Sequence, residues 1–484
     1  MFAHSVFCGG TAVTAFIPPQ PAARKRNASL SARARQFLTS GLSLFQRSSY
    51  DFIGVSRHPL PRIPLRPPRF AYLVREPDAI RDVLVNDAAH YPKAQLMDSM
   101  LRALTGYSIF VSNGEAWRRQ RAIIDQAFAN ARVREVFGLM RDASDALRDR
   151  IEALAPVGGS AIIDVDVETM HFAGDVIFRT IHSEPMSERD AREIFAAFER
   201  FQRIAYAHGF LSLISMPTFL LPSNWRGRRD AAIIRRALNR PISRRLAKIA
   251  RGEPTPDNDI LATLIAAPDP VTGTRFDAGE LLDQVAMLFL AGHETSAAAL
   301  GWALYLIANR PDAQARMRAE ADAVLGDRAP EFSDMRRLPF IRDVFQETLR
   351  LYPPVAFLAR DAAKPTLLCA QSIEAHSTTI VPTWLMHRHI AYWKEADQFD
   401  PDRFADPTTK SSRACAFLPF SMGPRVCSGA AFALQEATLA LVELVRRFEF
   451  SPAPGHTPEP VSRLTLRSAN GIPLRVERRK DRRG

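Results

Sequence analysis

Cysteine is scarce and scattered in this chain of 484 residues: Cys8, Cys369, Cys415 and Cys427 are the four, with no C-x-x-C pair among them. A disulfide framework and a cysteine zinc site are thereby excluded, and a reducing, cytoplasmic setting is the natural expectation. Long apolar runs are lacking too. The stretch 11–17 is cut off by Pro18 and Pro19, far short of the roughly 20 residues that span a bilayer, so no transmembrane anchor is expected. No acidic residue precedes Asp51. With its Ala, Ser and Arg content the first segment superficially fits an organelle transit peptide, but a basic, poorly ordered extension over residues 1–50 is the favoured reading. Recognition motifs for nucleic acid are missing as well, although the formal net charge is +12. Much of that surplus lies in Arg24, Lys25, Arg26, Arg33 and Arg35 at one end and Arg475, Arg478, Arg479, Lys480, Arg482 and Arg483 at the other, which read as solvated tails.

What is present is the composition of a globular protein, 46% hydrophobic and 24% charged, which excludes fibrous and disordered classes. Apolar residues at helical spacing predict helices over 115–128, 133–154, 187–207, 230–251, 277–309, 311–325 and 339–352, with a short one over 77–86. Strand signals are few, at 70–74, 366–369, 378–381 and 463–476, the last with Asn470-Gly471 as a predicted hairpin turn. No repeat and no linker interrupts the chain after residue 50. The expectation is one domain over 51–484, mainly α, with small β-sheets at one side.

Chemistry enters at one loop. Phe420, Gly423, Arg425, Cys427 and Gly429 satisfy F-x-x-G-x-R-x-C-x-G and lead straight into a helical pattern over 430–448. A cysteine placed just before a helix has its thiolate stabilised by the free amides and positive dipole end. On this motif the chain resembles the cytochrome P450 family of haem-thiolate monooxygenases. The resemblance implies the cytochrome P450 fold and haem b (iron protoporphyrin IX), with Cys427 as metal ligand pushing electron density toward iron to favour oxygen–oxygen cleavage. Gly423 then allows the tight turn, Gly429 lets backbone approach the porphyrin, Arg425 pairs with a propionate and Phe420 shields the sulfur.

Four further segments resemble the family in order and spacing. Glu347 and Arg350, three apart, share a helical face. With Arg403, in the stretch Phe399-Asp400-Pro401-Asp402-Arg403-Phe404, they are expected to form a buried structural network; Asp402 stands where the family usually has glutamate. Ala291-Gly292-His293-Glu294-Thr295-Ser296 is similar to the oxygen-activating signature A/G-G-x-E/D-T-T/S, with Ser296 in place of a second threonine. There Ala291 and Gly292 leave room above the cofactor, and Thr295 can turn its hydroxyl to the helix backbone. Glu294 and Thr295 are the expected catalytic pair, passing the protons that dioxygen scission requires. His293 is a competing haem ligand, disfavoured because it falls at the variable position of the signature. Trp117 and Arg121 of a W-x-x-x-R segment, Arg360 ten residues beyond Arg350, and His90 complete the residues expected at the propionates, beside Arg425.

By the same resemblance, substrate contacts fall in 96–111, 206–214, 287–291 with Ala291, 355–358 with Val355, and 468–472. Most of these positions are apolar and no charged residue stands out as a carboxylate anchor, so a hydrophobic terpenoid, steroid, fatty acid or aromatic is the expected substrate. The apolar stretch 210–221 is expected to pack over the access channel or meet a partner, with contact to a membrane surface as the alternative. With no redox domain in the chain, electrons are expected from a ferredoxin or flavodoxin with an NAD(P)H-dependent reductase, and dioxygen is the co-substrate for hydroxylation or epoxidation. Two other readings stand open. A haem-thiolate isomerase or peroxygenase keeps the loop but needs no proton relay, and a non-catalytic haem-binding protein keeps only the fold.

Overall fold

The computed structural model describes residues 16–21, 62–64, 70–213 and 222–479. Among these, ten helices of ten residues or more dominate: α1 Gln95–Thr105, α2 Gly114–Ala127, α3 Phe137–Leu154, α4 Val165–His182, α5 Glu188–Leu213, α6 Pro222–Ala250, α7 Ala278–Ala308, α8 Pro311–Leu325, α9 Pro339–Leu351 and α10 Ala430–Arg447. The central beam is α7. Its start is fixed by a capping box, in which the Asp277 carboxylate accepts from the Glu280 amide at 2.7 Å and the Glu280 carboxylate accepts from the Asp277 amide at 3.1 Å. Such a cap contributes about 1 kcal/mol. From Val285 onward the helix is apolar on nearly every face and buried on nearly every face, so burial rather than amphipathicity holds it. Against it lies α4, at an approach only glycine permits: a Cβ added to Gly292 would sit 2.9 Å from Ile177.

Sheets gather the late segments and bind them to the early ones. Strands β1 Arg62–Pro64, β2 Phe70–Leu73, β7 Thr378–Val381 and β4 Leu358–Asp361 form one sheet, in that order, with β2 and β7 parallel. The strand β3 Ser160–Asp164 joins β11 Pro473–Arg478 and β8 Phe448–Pro452 in a second. Two hairpins, β5 Thr366–Leu368 with β6 Gln371–Ile373 and β9 Pro460–Ser462 with β10 Leu466–Ser468, complete the set.

The structure corrects the expected hairpin over 463–476. Its two halves belong to different sheets, and Asn470-Gly471 is the crossing between them. Gly471 has φ 79°, and a Cβ there would meet Asp164 Oδ2 at 2.5 Å. Two of these helices lie outside the expected ones: α1, and α4, whose burial on most sides leaves no polar stripe to mark it. The helix expected over 133–154 breaks at Val136 into Asn130–Glu135 and α3. Most of the expected N-terminal extension lies outside the described residues, as do 214–221 of the apolar stretch. Within that extension residues 16–21 are packed: the Phe399 amide donates to Phe16 O at 3.3 Å and the Tyr352 hydroxyl to Pro19 O at 2.6 Å.

One buried network connects this frame to the cysteine loop. Arg350 donates through Nε and Nη2 to the two Glu347 oxygens at 2.7 Å each, and Arg403 Nε donates to the same carboxylate at 3.2 Å. The remaining guanidinium hydrogens meet main-chain carbonyls, those of His387 and Ala396 for Arg350 and those of Lys394 and Glu395 for Arg403. All three side chains are buried, with two guanidiniums sharing one carboxylate and otherwise met by carbonyls; removing one partner from such a set costs about 3–5 kcal/mol. Asp402 turns outward and pairs with Arg316 at 2.7 Å. His387 carries the network onward. Its Nδ1 faces Arg350 O at 3.2 Å and its Nε2 accepts from the Leu418 amide at 2.7 Å, two residues before Phe420.

Candidate functional site

The loop that presents Cys427 is set by backbone geometry. Ser421 and Gly423 both take positive φ, 64° and 73°, and a Cβ on Gly423 would lie 2.0 Å from the Leu84 carbonyl oxygen. Only glycine passes there. The loop closes through the Cys427 amide, which donates to Phe420 O at 3.0 Å. Helix α2 clamps its far side: Arg121 Nη1 donates to Val426 O at 2.6 Å, Arg121 Nε to Asp125 at 2.6 Å, and the Ser428 hydroxyl to Asp125 at 2.8 Å. Cys427 has exposed surface, and desolvation by the loop packed around it raises its thiol pKa, against the lowering influence of the Gly429 amide, Arg121 and Lys93. A Cβ on Gly429 would stand 3.7 Å from Phe128 and 3.9 Å from Cys427 Sγ, ordinary contacts, so the protein alone does not demand glycine at that position.

A second wall comes from the middle of α7. In a helix otherwise buried, Leu290, Ala291, Gly292 and Thr295 are only partly so. Helices α7 and α10 meet at a buried hydrogen bond from Ser296 Oγ to Glu436 Oε2, 3.0 Å long, one residue past Thr295 and nine past Cys427. Ala291 and Thr295 share a face one turn apart, and Thr295 Oγ1 donates to Ala291 O at 2.5 Å. Glu436 has its pKa raised to about 8 by burial, eased by the Ser296 hydroxyl, so this carboxyl holds a proton at neutral pH.

Glu294 points elsewhere. Its carboxylate accepts from Thr465 Oγ1 at 2.6 Å and from Arg467 Nη1 at 3.1 Å, while Arg467 Nη2 lies 2.8 Å from Asp166 Oδ1. Burial raises the Glu294 pKa, with Arg467 and Thr465 opposing it. The expected relay acid is thus tied to β10. His293 turns to α5, between Phe195 and Phe289 with centroids at 4.9 and 5.4 Å, and neither ring nitrogen has a hydrogen-bond partner among the described residues. Burial lowers its pKa to about 3.

That cage has a consequence for stability. A histidine whose folded pKa lies below the unfolded 6.5 leaves stability intact above that pH and withdraws it as pH falls toward about 3. The penalty is about 1.4 kcal/mol for each pH unit below the unfolded value. His293→Phe, which forfeits no hydrogen bond, should therefore match the parent at pH 8 to within about 1.5 kcal/mol and gain on it at acid pH. Urea unfolding of both proteins at the two pH values checks this, and an equal acid loss in the two would sink it. His182 and His387, also lowered to about 3 by burial, keep the parent's remaining acid sensitivity in the variant.

Three cations converge at another edge. Arg425 stacks on Trp117, guanidinium to ring 4.2 Å, and donates to Ser112 O at 3.2 Å and Asn113 Oδ1 at 2.8 Å. Asn113 also accepts from the Lys93 amide at 2.9 Å, and Lys93 bridges Arg360 of β4. Arg360 donates only to its neighbour Ala359 O, at 2.9 Å, and burial brings its pKa to about 10. Arg425 comes to about 10 through burial and then Arg360, and Lys93 falls well below its ordinary value through burial, Arg360 and Arg425. Among the described residues none of the three has a carboxylate partner. Buried like charges of this kind are unfavourable unless anions meet them.

Sequence reasoning missed Lys93, which a lone lysine gives no means of marking. Of the residues it placed at the propionates, the structure brings Trp117, Arg360 and Arg425 together. Arg121 is given to Asp125 and Val426 O, and His90 pairs with Asp87 at the half-exposed surface. The turn 468–472 is also displaced from its expected role. Ile472 lies 3.4 Å from where a Cβ of Gly301 would be, ten residues or about 15 Å along α7 from Ala291. The hairpin tip 463–465 stands near the wall instead, with Leu466 N donating to Pro354 O at 2.9 Å beside the partly buried Val355.

Comparison with known proteins settles the class, for the family model Cytochrome P450 matches residues 59–474. The chain belongs to the cytochrome P450 family. Cyclooctatin synthase of Streptomyces melanosporofaciens is 32% identical over 412 residues, covering 84% of this chain and 86% of that one. Cyclooctat-9-en-7-ol 5-monooxygenase of the same organism is 31% identical over 391 residues, covering 81% and 82%. The cytochrome P450DA heme domain shares the fold, with a TM-score of 0.77 at 24% identity over 96% of this chain and 97% of its own. The protein is a P450 monooxygenase with a haem-thiolate cofactor, and among the described residues no helix is long and apolar enough to cross a membrane. The residues present fit that cofactor. Cys427 offers a sulfur on the loop, and Lys93, Arg360 and Arg425, without carboxylate partners among the described residues, can meet two propionates.

Proposed function

We propose that residues 51–484 form a haem b domain that hydroxylates or epoxidises a hydrophobic small molecule with dioxygen, drawing electrons from a separate ferredoxin or flavodoxin and its NAD(P)H-dependent reductase. The observation that carries this is the pairing of the exposed thiol of Cys427 with three cations, the buried Arg360 and the partly buried Lys93 and Arg425, that have no carboxylate partner among the described residues. Cys427 would ligate the iron, and the cations, with Trp117, would hold the two propionates. When bound, the haem supplies the activation of dioxygen and its transfer to carbon.

The chain's own residues handle protons and water. Thr295 presents the hydroxyl on the partly exposed face of α7, steadied by Ala291 O. Glu294, linked through Arg467 and Asp166 to the far side of the helix, takes protons from outside, and protonated Glu436 behind Ser296 is a second store. Apolar Leu290, Ala291, Val355 and Phe357 exclude bulk water and admit hydrophobic substrate. The name of the relative Cyclooctat-9-en-7-ol 5-monooxygenase supports a substrate of this kind. The test is turnover of a terpenoid panel with ferredoxin, reductase, NADPH and isotopically labelled dioxygen. One labelled oxygen atom in product, and none without reductase, is the expected result; equal product from hydrogen peroxide alone would favour the peroxygenase reading instead.

A further inference from the structure

The tip of the β9–β10 hairpin carries a partly buried arginine that forms no ion pair among the described residues. Arg463 donates its amide to Thr465 O at 3.0 Å, but among the described residues its guanidinium makes no ion pair and its buried Nε has no hydrogen-bond partner. Burial and the like charge of Arg203 press its pKa down, and the nearby Glu199 is already bonded to Arg203. This side chain lines a cavity of about 310 Å³ between the start of α4, the helix α5 and the hairpin. One wall is apolar, built from Val167, Met170, Phe195, Phe198 and Val461.

The acids around that cavity are taken. Asp166 is held by Arg467 at 2.8 Å, and Asp164 accepts from the amides of Asp166 at 3.1 Å and Ile472 at 2.9 Å. Arg463 is the cation of this cavity that forms no ion pair among the described residues, set at the rim of an apolar space. A planar guanidinium in that setting suits a carboxylate, which it grips with two parallel hydrogen bonds. The carboxylates of Asp164, Asp166 and Glu199 disfavour a doubly charged head.

We propose that this cavity binds an apolar monocarboxylate, its carboxylate on Arg463 and its hydrocarbon against Met170, Phe195 and Phe198. The site lies on the Glu294 side of α7, since Thr465 lines the cavity and donates to Glu294 at 2.6 Å. It goes beyond the proposed function and does not depend on it.

Dodecanoate and dodecanol are the probes, titrated calorimetrically into holoprotein saturated with imidazole so that the space before the iron is filled. Dodecanoate should bind the parent, and Arg463→Gln should weaken it by about tenfold or more, the effect of losing a charge-assisted pair. Dodecanol should bind both proteins equally and more weakly than dodecanoate binds the parent. Val461→Trp, which fills the cavity without altering charge, should lose both probes while keeping the carbon monoxide difference band of the parent. Equal dodecanoate affinity in parent and Arg463→Gln, or dodecanol binding the parent as tightly as dodecanoate, overturns the assignment. A lost carbon monoxide band in the parent would count against the haem-thiolate reading, not against this site.

Discussion

Cys427→His should abolish the carbon monoxide difference band of the thiolate-ligated ferrous protein and, with it, oxygen-dependent turnover. The loop that carries the sulfur is held from several sides, by Gly423 against Leu84 O, by the Phe420 carbonyl, and by Arg121 on Val426 O. It stays in place when the side chain changes, and two of the propionate cations, Lys93 and Arg360, stand on other elements. Haem retention and the band are thus separable: colour can persist in the variant while the spectral mark of sulfur ligation is lost. Turnover should fall by more than about 100-fold, beyond the loss seen when an outer-shell partner of a metal is removed. A variant that keeps the parent's band would show that position 427 is not the ligand. The imidazole cannot restore function by ligating iron, because a neutral nitrogen lacks the electron donation of a thiolate.

The residues legible in the sequence are those whose chemistry is local. The cysteine loop compresses a tight turn, a ligand and a helix start into ten positions, and Glu347 and Arg350 lie one turn apart on one helix. Long helices with an apolar stripe, such as α2 and α9, were equally plain. What escaped depends on partners distant in sequence. Arg467 and Thr465 meet Glu294 across 173 and 171 positions, and Glu436 meets Ser296 across 140. Nothing near any of these residues signals the meeting. Lys93 escaped because its neighbours say nothing of Arg360, which it meets through the pairing of β4 with the segment before α1. Arginines are common in this chain, and only the structure separates Arg463, which forms no ion pair among the described residues, from Arg467, which has two carboxylates.

Thr295→Ala should divert reducing equivalents to hydrogen peroxide while leaving the fold intact. The hydroxyl bonds only to the Ala291 carbonyl of its own helix, so its removal breaks no contact between elements. Glu294 cannot replace it without leaving Arg467 and Thr465, and Ser296 is engaged with Glu436 on another face. A proton that arrives by either acid then lacks its last carrier. General acid–base groups in such positions contribute about 10²–10⁴-fold, so product formation should fall by about 100-fold while NADPH consumption persists. Thr295→Ser, which keeps an oxygen at the same atom, should recover most of the lost coupling, whereas a role in packing alone would not distinguish the two variants in this way. The measurement is the ratio of product to NADPH consumed, with hydrogen peroxide assayed in parallel. Unchanged coupling in Thr295→Ala would remove this residue from the proton path and leave Glu436, through Ser296, as the group to test.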